Sequence, residues 1–251
     1  QRFVGIMGEA REGCLMLLEQ TDFNTITMGN AWTGMEMRAK ELQRKVDDTW
    51  RDAVEPKFEE ASAPREVIAR ERQKKDDFTD WLDVETERTR IAIYCDATRR
   101  LMEHTRTTAT EGVRCSQCGA TIEAPGGFRA VNVGCKHCGT VNTYEPGTKV
   151  RMIEAMGTHP LCEEHAWEAW LEMRRAERAW KSARPETIDS IRRYEHAQLA
   201  YWQTYLQFRA RMQPELVPAL DKDLRGKMAH FYISLEHNKA WVAAGKPRAL
   251  A

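Results

Sequence analysis

The chain has 251 residues, with Lys+Arg and Asp+Glu both counting 38. That balance excludes a global electrostatic pull toward nucleic acid or an acidic membrane, so only a local patch could supply one. The longest apolar run, "CLMLL" at 14–18, is far short of the roughly 20 residues a membrane-spanning helix needs.

Gly and Pro divide the chain. Eleven of the 15 Gly and 9 Pro lie between Gly112 and Pro160, whereas 65–111, 161–184 and 186–213 contain neither. Such gaps permit long helices. In chain order, residues 1–30 read as an irregular N-terminal segment. "TDFNTITMGNAWTG" mixes β-branched residues with turn formers, and only a short helix near 7–19 precedes it. The sequence starts at Gln1, and no basic segment followed by an apolar stretch opens it. A first helix is predicted over 31–55, where Met35, Ala39, Leu42, Val46 and Ala53 share one face. A second is predicted over 64–111, with Ser62 as its N-cap and Pro64 in its first turn. Unbroken, it is about 70 Å long, so it bends or forms part of a long hairpin. The charged run "RERQKKDDF" at 70–78 is its weakest stretch.

Residues 113–147 change character. Cys115, Cys118, Cys135 and Cys138 stand as C-x2-C-x16-C-x2-C, and Gly119 and Gly139 follow the two pairs. Two residues between cysteines let a tight turn aim both thiolates at one metal, and a second such turn completes a tetrahedron. Between the pairs, "ATIEAPGGFRAVNV" reads as a β-run, a "PGG" turn and a second β-run, and "TVNTYE" supplies a third. A complete thiolate set leaves no position for water or substrate, which suits a structural ion, and thiolates favour zinc.

This stretch resembles the zinc-ribbon family, over 113–147 only. The resemblance implies a small β module with the four cysteines as ligands of one structural Zn2+. The family is found in transcription factors, topoisomerases, tRNA-related enzymes and protein-interaction modules, so the resemblance fixes no single function. Over 113–151, Arg114, Arg129, Lys136, Lys149 and Arg151 outnumber Glu123 and Glu145, and Phe128 and Tyr144 are available to stack on bases. Arg114, Phe128, Arg129, Lys136 and Tyr144 are therefore the residues expected to contact a partner or nucleic acid.

Beyond the ribbon, helices are predicted over 160–183, 186–212 and 216–243. "HPLCEEH" sets His159, Cys162 and His165 at three-residue steps, a possible second metal site weighed against a plain helix start with one buried cysteine. Four Glu-His pairs lack the Glu-x-x-His spacing of a di-iron bundle and read as surface residues. Eight tryptophans spread over the helices imply core packing, a dimer seam or a partner groove. Cys14, Cys95 and Cys162 are scattered, and seven is an odd number, which argues against paired disulfides and for a reducing, cytoplasmic setting. Phosphate-binding loops, dinucleotide-binding glycines and the common hydrolase motifs are absent.

The expected fold is mostly α, with long helices in a hairpin or bundle and a small β zinc ribbon inserted between helices. The expected segments are 1–30 irregular, 31–112 helical, 113–147 ribbon and 148–251 helical. The expected function is a non-enzymatic scaffold or adaptor that assembles with a protein partner or with itself in coiled-coil fashion. The alternative is a factor contacting DNA or RNA through the basic ribbon.

Overall fold

The computed structural model describes residues 2–108, 113–123, 131–145, 147–183, 187–246 and 248–249. It is predominantly helical, with two small two-stranded antiparallel sheets around the cysteines. The chain forms two compact units, Gln1–Glu154 and Ala155–Ala251. The first unit thus joins an N-terminal helical region and the cysteine-bearing sheets in one body.

Helix α1 (Arg2–Gln20) and helix α2 (Thr25–Thr49) replace the irregular segment expected over 1–30. Between them, Phe23 and Asp22 donate their N–H groups to the Leu18 and Glu19 carbonyls, with both residues in the left-handed region. Asn24 then caps α2, its side chain accepting from the N–H groups of Ile26 and Thr27. The β-branched residues of "NTITMGN" cost a helix only a few tenths of a kcal/mol each. The cap and the burial of Met28 and Trp32 outweigh that cost.

One π turn (Trp50–Val54) leads from α2 into α3 (Glu55–Glu60). Ser62 is not the N-cap that its place before Pro64 suggests. It sits at φ 51° and closes α3, its N–H donating to Glu59 while Ala63 donates to Phe58. Helix α4 (Arg65–Thr108) follows, 44 residues without a break, or about 66 Å. The run at 70–78 stays helical because its side chains pair locally, Lys74 with Glu71 and the Gln73 amide with Asp77, and across to α2, Lys75 with Asp47.

The long helix is one arm of a hairpin. Helix α2 lies antiparallel to it, with Gln43 meeting Thr79 and Asp47 meeting Lys75, and Glu55 at the start of α3 meets Arg72. Helix α1 runs parallel to it, from Phe3 at Trp81 to Glu19 at Arg100. Where all three overlap, Leu18, Met28, Trp32, Leu82, Ile93 and Leu101 form a fully buried core. After the strands β1 (Val113–Arg114), β2 (Thr121–Ile122), β3 (Val131–Gly134) and β4 (Val141–Tyr144) comes α5 (Thr148–Met152), then a π turn, Ile153–Gly157.

The second unit holds α6 (Thr158–His165), α7 (Trp167–Ser182), α8 (Ile188–Met212), a 3-10 turn (Pro214–Ala219), α9 (Leu220–Ser234) and α10 (Lys239–Ala243). Two helices expected as continuous are interrupted. The first turns at Ala166, where the hydrogen-bond ladder nevertheless continues from Cys162 through Ala166 to Trp170. The second stops after Leu235, and the Asn238 side chain caps α10 by accepting the Trp241 N–H. That turn sends Trp241 into a core with Ile191, Tyr194, Met228, Phe231 and Leu235. Helix α8 carries both cores of this unit, the other being Cys162, Ala166, Tyr201, Tyr205 and Leu206. Glu195, read as a surface residue, is buried and accepts the Ala249 N–H at 2.8 Å. Among the described residues no helix is long and apolar enough to cross a membrane.

Candidate metal centre

The four cysteines sit in two turns of the same build. Strand β1 pairs with β2 and encloses the first turn, and β3 pairs with β4 and encloses the second. In the first, the Cys115 N–H donates to the Ala120 carbonyl and the Gly119 N–H to the Cys115 carbonyl, at 2.8 and 3.0 Å. In the second, Cys135 donates to Thr140 and Gly139 to Cys135, at 2.8 and 2.9 Å. Gly119 and Gly139 take φ of 72° and 74°, a conformation that a Cβ would strain. This is why glycine follows each pair.

The two turns face one another. All four Sγ atoms lie within 4.8 Å of one another, the one such grouping of three or more His, Cys, Asp or Glu among the described residues. Cys115 Sγ lies 3.5 Å from Cys138 Sγ, and Cys118 Sγ lies 3.7 Å from Cys135 Sγ. A tetrahedral ion with bonds of about 2.3 Å to sulfur needs edges of about 3.8 Å. The donor set therefore fits a metal ion, in an arrangement compatible with a zinc ribbon. Cys115 and Cys135 are buried with Ile122, while Cys118 and Cys138 face solvent.

The thiols differ in their electrostatics. Backbone N–H groups of Cys118 and Gln117 point at Cys115 and, with Asn142, hold its pKa down at about 6. The Thr140 hydroxyl and N–H lower that of Cys138. The Ala120 N–H lowers that of Cys118, but the Cys138 thiol, desolvation and the Cys135 and Cys115 thiols together push it up to about 12. Two of the four thiols are thus held below their ordinary pKa, toward the thiolate form that binds a cation.

Asn142 ties the turns together, and the sequence reading missed it. Its Oδ1 accepts from the Ser116 N–H and hydroxyl, both at 2.9 Å. Its Nδ2 donates to the Thr140 carbonyl at 3.0 Å and to Cys115 Sγ at 3.6 Å. Every hydrogen-bonding position of this buried amide is used. A second cross-tie runs from the Thr140 hydroxyl to Gln117 Oε1. A signal for Asn142 exists in the sequence. Ile122 stands four residues after Cys118, and Asn142 stands four after Cys138. Superposing the two halves reveals a polar residue at a core position.

Comparison with family models, with curated proteins and with solved structures finds no match to the chain.

Of the expected contact residues, Phe128 and Arg129 lie outside the described residues, and Tyr144 ends β4 opposite Val131. Arg114 is exposed opposite Thr121. The basic surplus is largely engaged within the chain. Lys136 pairs with Glu123 at 2.9 Å and Arg151 with Glu145 at 3.4 Å. Lys149 pairs with Asp22 at 2.7 Å and donates to His104 Nε2 at 3.0 Å, joining α5 to the turn between α1 and α2.

His159, Cys162 and His165 do not come together as a metal site. Cys162 turns into the core, where burial pushes its pKa up to about 11. His159 meets the Tyr205 hydroxyl and lies 3.1 Å from Glu163, while His165 stacks on Phe208 at 4.2 Å. Three-residue steps advance about 300° around a helix. They therefore place the central residue inward and its neighbours to either side.

Proposed function

We propose that this protein is a non-enzymatic scaffold in which one zinc ion, held by Cys115, Cys118, Cys135 and Cys138, folds a small docking module carried by a long helical hairpin. The observation that carries this reading is the convergence of four sulfurs within 4.8 Å of one another. A four-thiolate shell fills the tetrahedron, so the ion would hold the two turns rather than bind a substrate. A module this small has too little apolar core to fold alone, and the metal supplies the missing free energy. In this role Asn142 would orient Cys115, and Thr140 would support Cys138.

A protein partner is favoured over nucleic acid by the ion pairs of Lys136, Lys149 and Arg151 and by the exposed Val131 and Val141 on the module's strands. Reduced thiols suit a reducing compartment. The test has two parts. Elemental analysis of the purified chain should find one zinc per chain, lost in Cys115→Ser. A photo-crosslinking residue at Val141 should yield a discrete protein adduct in cells, absent when Cys115→Ser is added. Salt-sensitive binding of labelled DNA or RNA, with no protein adduct, would sink the scaffold reading in favour of nucleic-acid contact.

A further inference from the structure

In the second unit, residues 245–249 run as a strap from α10 past the end of α9 to α8. Gly245 and Lys246 turn the chain out of α10, both in the left-handed region at φ 77° and 52°. Lys246 Nζ lies 2.6 Å from one oxygen of Glu236, and an Arg248 nitrogen lies 3.6 Å from the other. The Arg248 guanidinium sits over the Tyr232 ring, 5.1 Å from its centroid. The Ala249 N–H donates to Glu195 at 2.8 Å. Gly245, Lys246, Arg248 and Ala249 are all exposed, so these four bury no apolar side chain. What lies beneath them is built more firmly. Glu195 is 3% exposed on α8, and among the described residues no cation pairs with it. A buried carboxylate is costly unless donors are brought to it, and here the donor is a backbone N–H of the strap. Lys246, ahead of Arg248, holds the Glu236 carboxyl below the usual carboxylate range. Tyr232 is itself set by stacking on the buried Trp241.

We infer that Glu195, Glu236 and Tyr232 form a docking site for a basic peptide of a partner protein, and that residues 245–249 occupy it in cis until such a peptide displaces them. The inference goes beyond the scaffold reading and uses no part of the metal centre. The seated segment defines the chemistry of the occupant. The site takes two cations two residues apart, one of them over an aromatic ring, and a backbone N–H directly after the second. Two carboxylates repel nucleic acid and acidic membrane surfaces. The strap is held loosely enough to be exchanged. Exposed ion pairs contribute little to stability and are screened by salt. Lys246 adds strain, because a side chain in the left-handed region is disfavoured. A segment held by so few groups opens locally. A peptide in trans then binds with an affinity reduced by the fraction of chains that are open.

The test is fluorescence anisotropy of a labelled peptide of residues 243–251, "AAGKPRALA", against the full-length, zinc-loaded chain. The double variant Lys246→Ser with Arg248→Ser frees the site, and it should bind the peptide at least about tenfold more tightly than the wild type does. Adding Glu236→Lys to the freed chain should abolish binding, and a peptide with serine at both cationic positions should not bind. Glu195→Gln in the freed chain should weaken binding. Should that variant misfold, a peptide N-methylated at Ala249 serves instead, and it should bind at least about tenfold more weakly for want of one hydrogen bond to a charged group. The freed chain should melt near the wild-type temperature. Adding Cys115→Ser should leave the peptide affinity unchanged, so failure of the zinc reading is told apart from failure here. The inference is overturned if the freed chain does not bind the peptide, if the serine peptide binds equally well, or if the freed chain melts far below the wild type. A wild type that dimerises by exchanging straps would also overturn it, since the occupant would then be a second copy.

Discussion

Asn142 shows how much one side chain can carry. It joins Ser116, Thr140 and Cys115, and so both turns of the cysteine cluster, in one buried set of hydrogen bonds. Groups that orient metal ligands in this way typically contribute ten- to hundredfold in affinity. Asn142→Ala should therefore weaken zinc binding by about ten- to hundredfold in competition with a colorimetric chelator. Asn132→Ala, which removes only an exposed bond from Thr143, should leave it unchanged. An equal loss in both variants would show that Asn142 has no special part. The cysteines allow a second check. Cys14, Cys95 and Cys162 are buried outside the cluster, and burial raises the pKa of Cys14 and of Cys162. At mildly alkaline pH the folded protein should keep these three unalkylated. Chelation should expose the other four to iodoacetamide, as read by intact mass. Fast alkylation of Cys162 in the folded chain would contradict its burial. Ion pairs such as Lys136 with Glu123 are fully exposed and should matter little to stability.

At the scale of elements, ends and turns carry the information that periodicity lacks. Ser62 occupies a left-handed position at the end of α3, where glycine is the unstrained choice. Ser62→Gly should therefore stabilise the first unit by about 1 kcal/mol, the usual cost of a side chain in that conformation. Thermal unfolding followed by circular dichroism measures it, and a lowered midpoint would mean that the serine side chain compensates for its backbone. Asn24 and Asn238 both start helices by accepting backbone N–H groups, at two of the places where the expected helix boundaries fail. The 44-residue α4 persists through its charged stretch because those charges have partners on its own surface and on α2. Reading 70–78 as a weak point counted the charges but not their pairing.

For the whole molecule, the two units have separate cores. The first rests on Leu18, Trp32, Leu82 and Ile93, the second on Ile191, Met228, Leu235 and Trp241. Residues 155–251 expressed alone should accordingly unfold cooperatively with helical circular dichroism. A fragment without a cooperative transition would show that its core needs the first unit. Metal removal should act locally. Chelation should abolish the ordered NMR resonances of 113–123 and 131–145 while the helical signal stays near its starting value, since the helical cores lie outside the cysteine cluster. A large helical loss would mean that the metal supports more than its own module.

The sequence by itself determined the helical class, the position of the long helix and the four metal-ligand candidates. Each is written locally, in stretches free of Gly and Pro and in a fixed cysteine spacing. Helical periodicity and a C-x2-C turn need only near neighbours, so no long-range information is required. Tertiary structure decided what depends on distant partners. It turned Cys162 into the core and away from His159 and His165, and it engaged Lys149 with Asp22 and His104. It placed Asn142 inward and left Val141 65% exposed, the reverse of what their polarity alone suggests. The stripe of α2 was legible as apolar, but its covering was not. Ala39 is buried and Leu42 is half-open because α1 meets the hairpin along only part of its length. A side chain's type records its preference for water or core, whereas its burial depends on which element arrives to cover it.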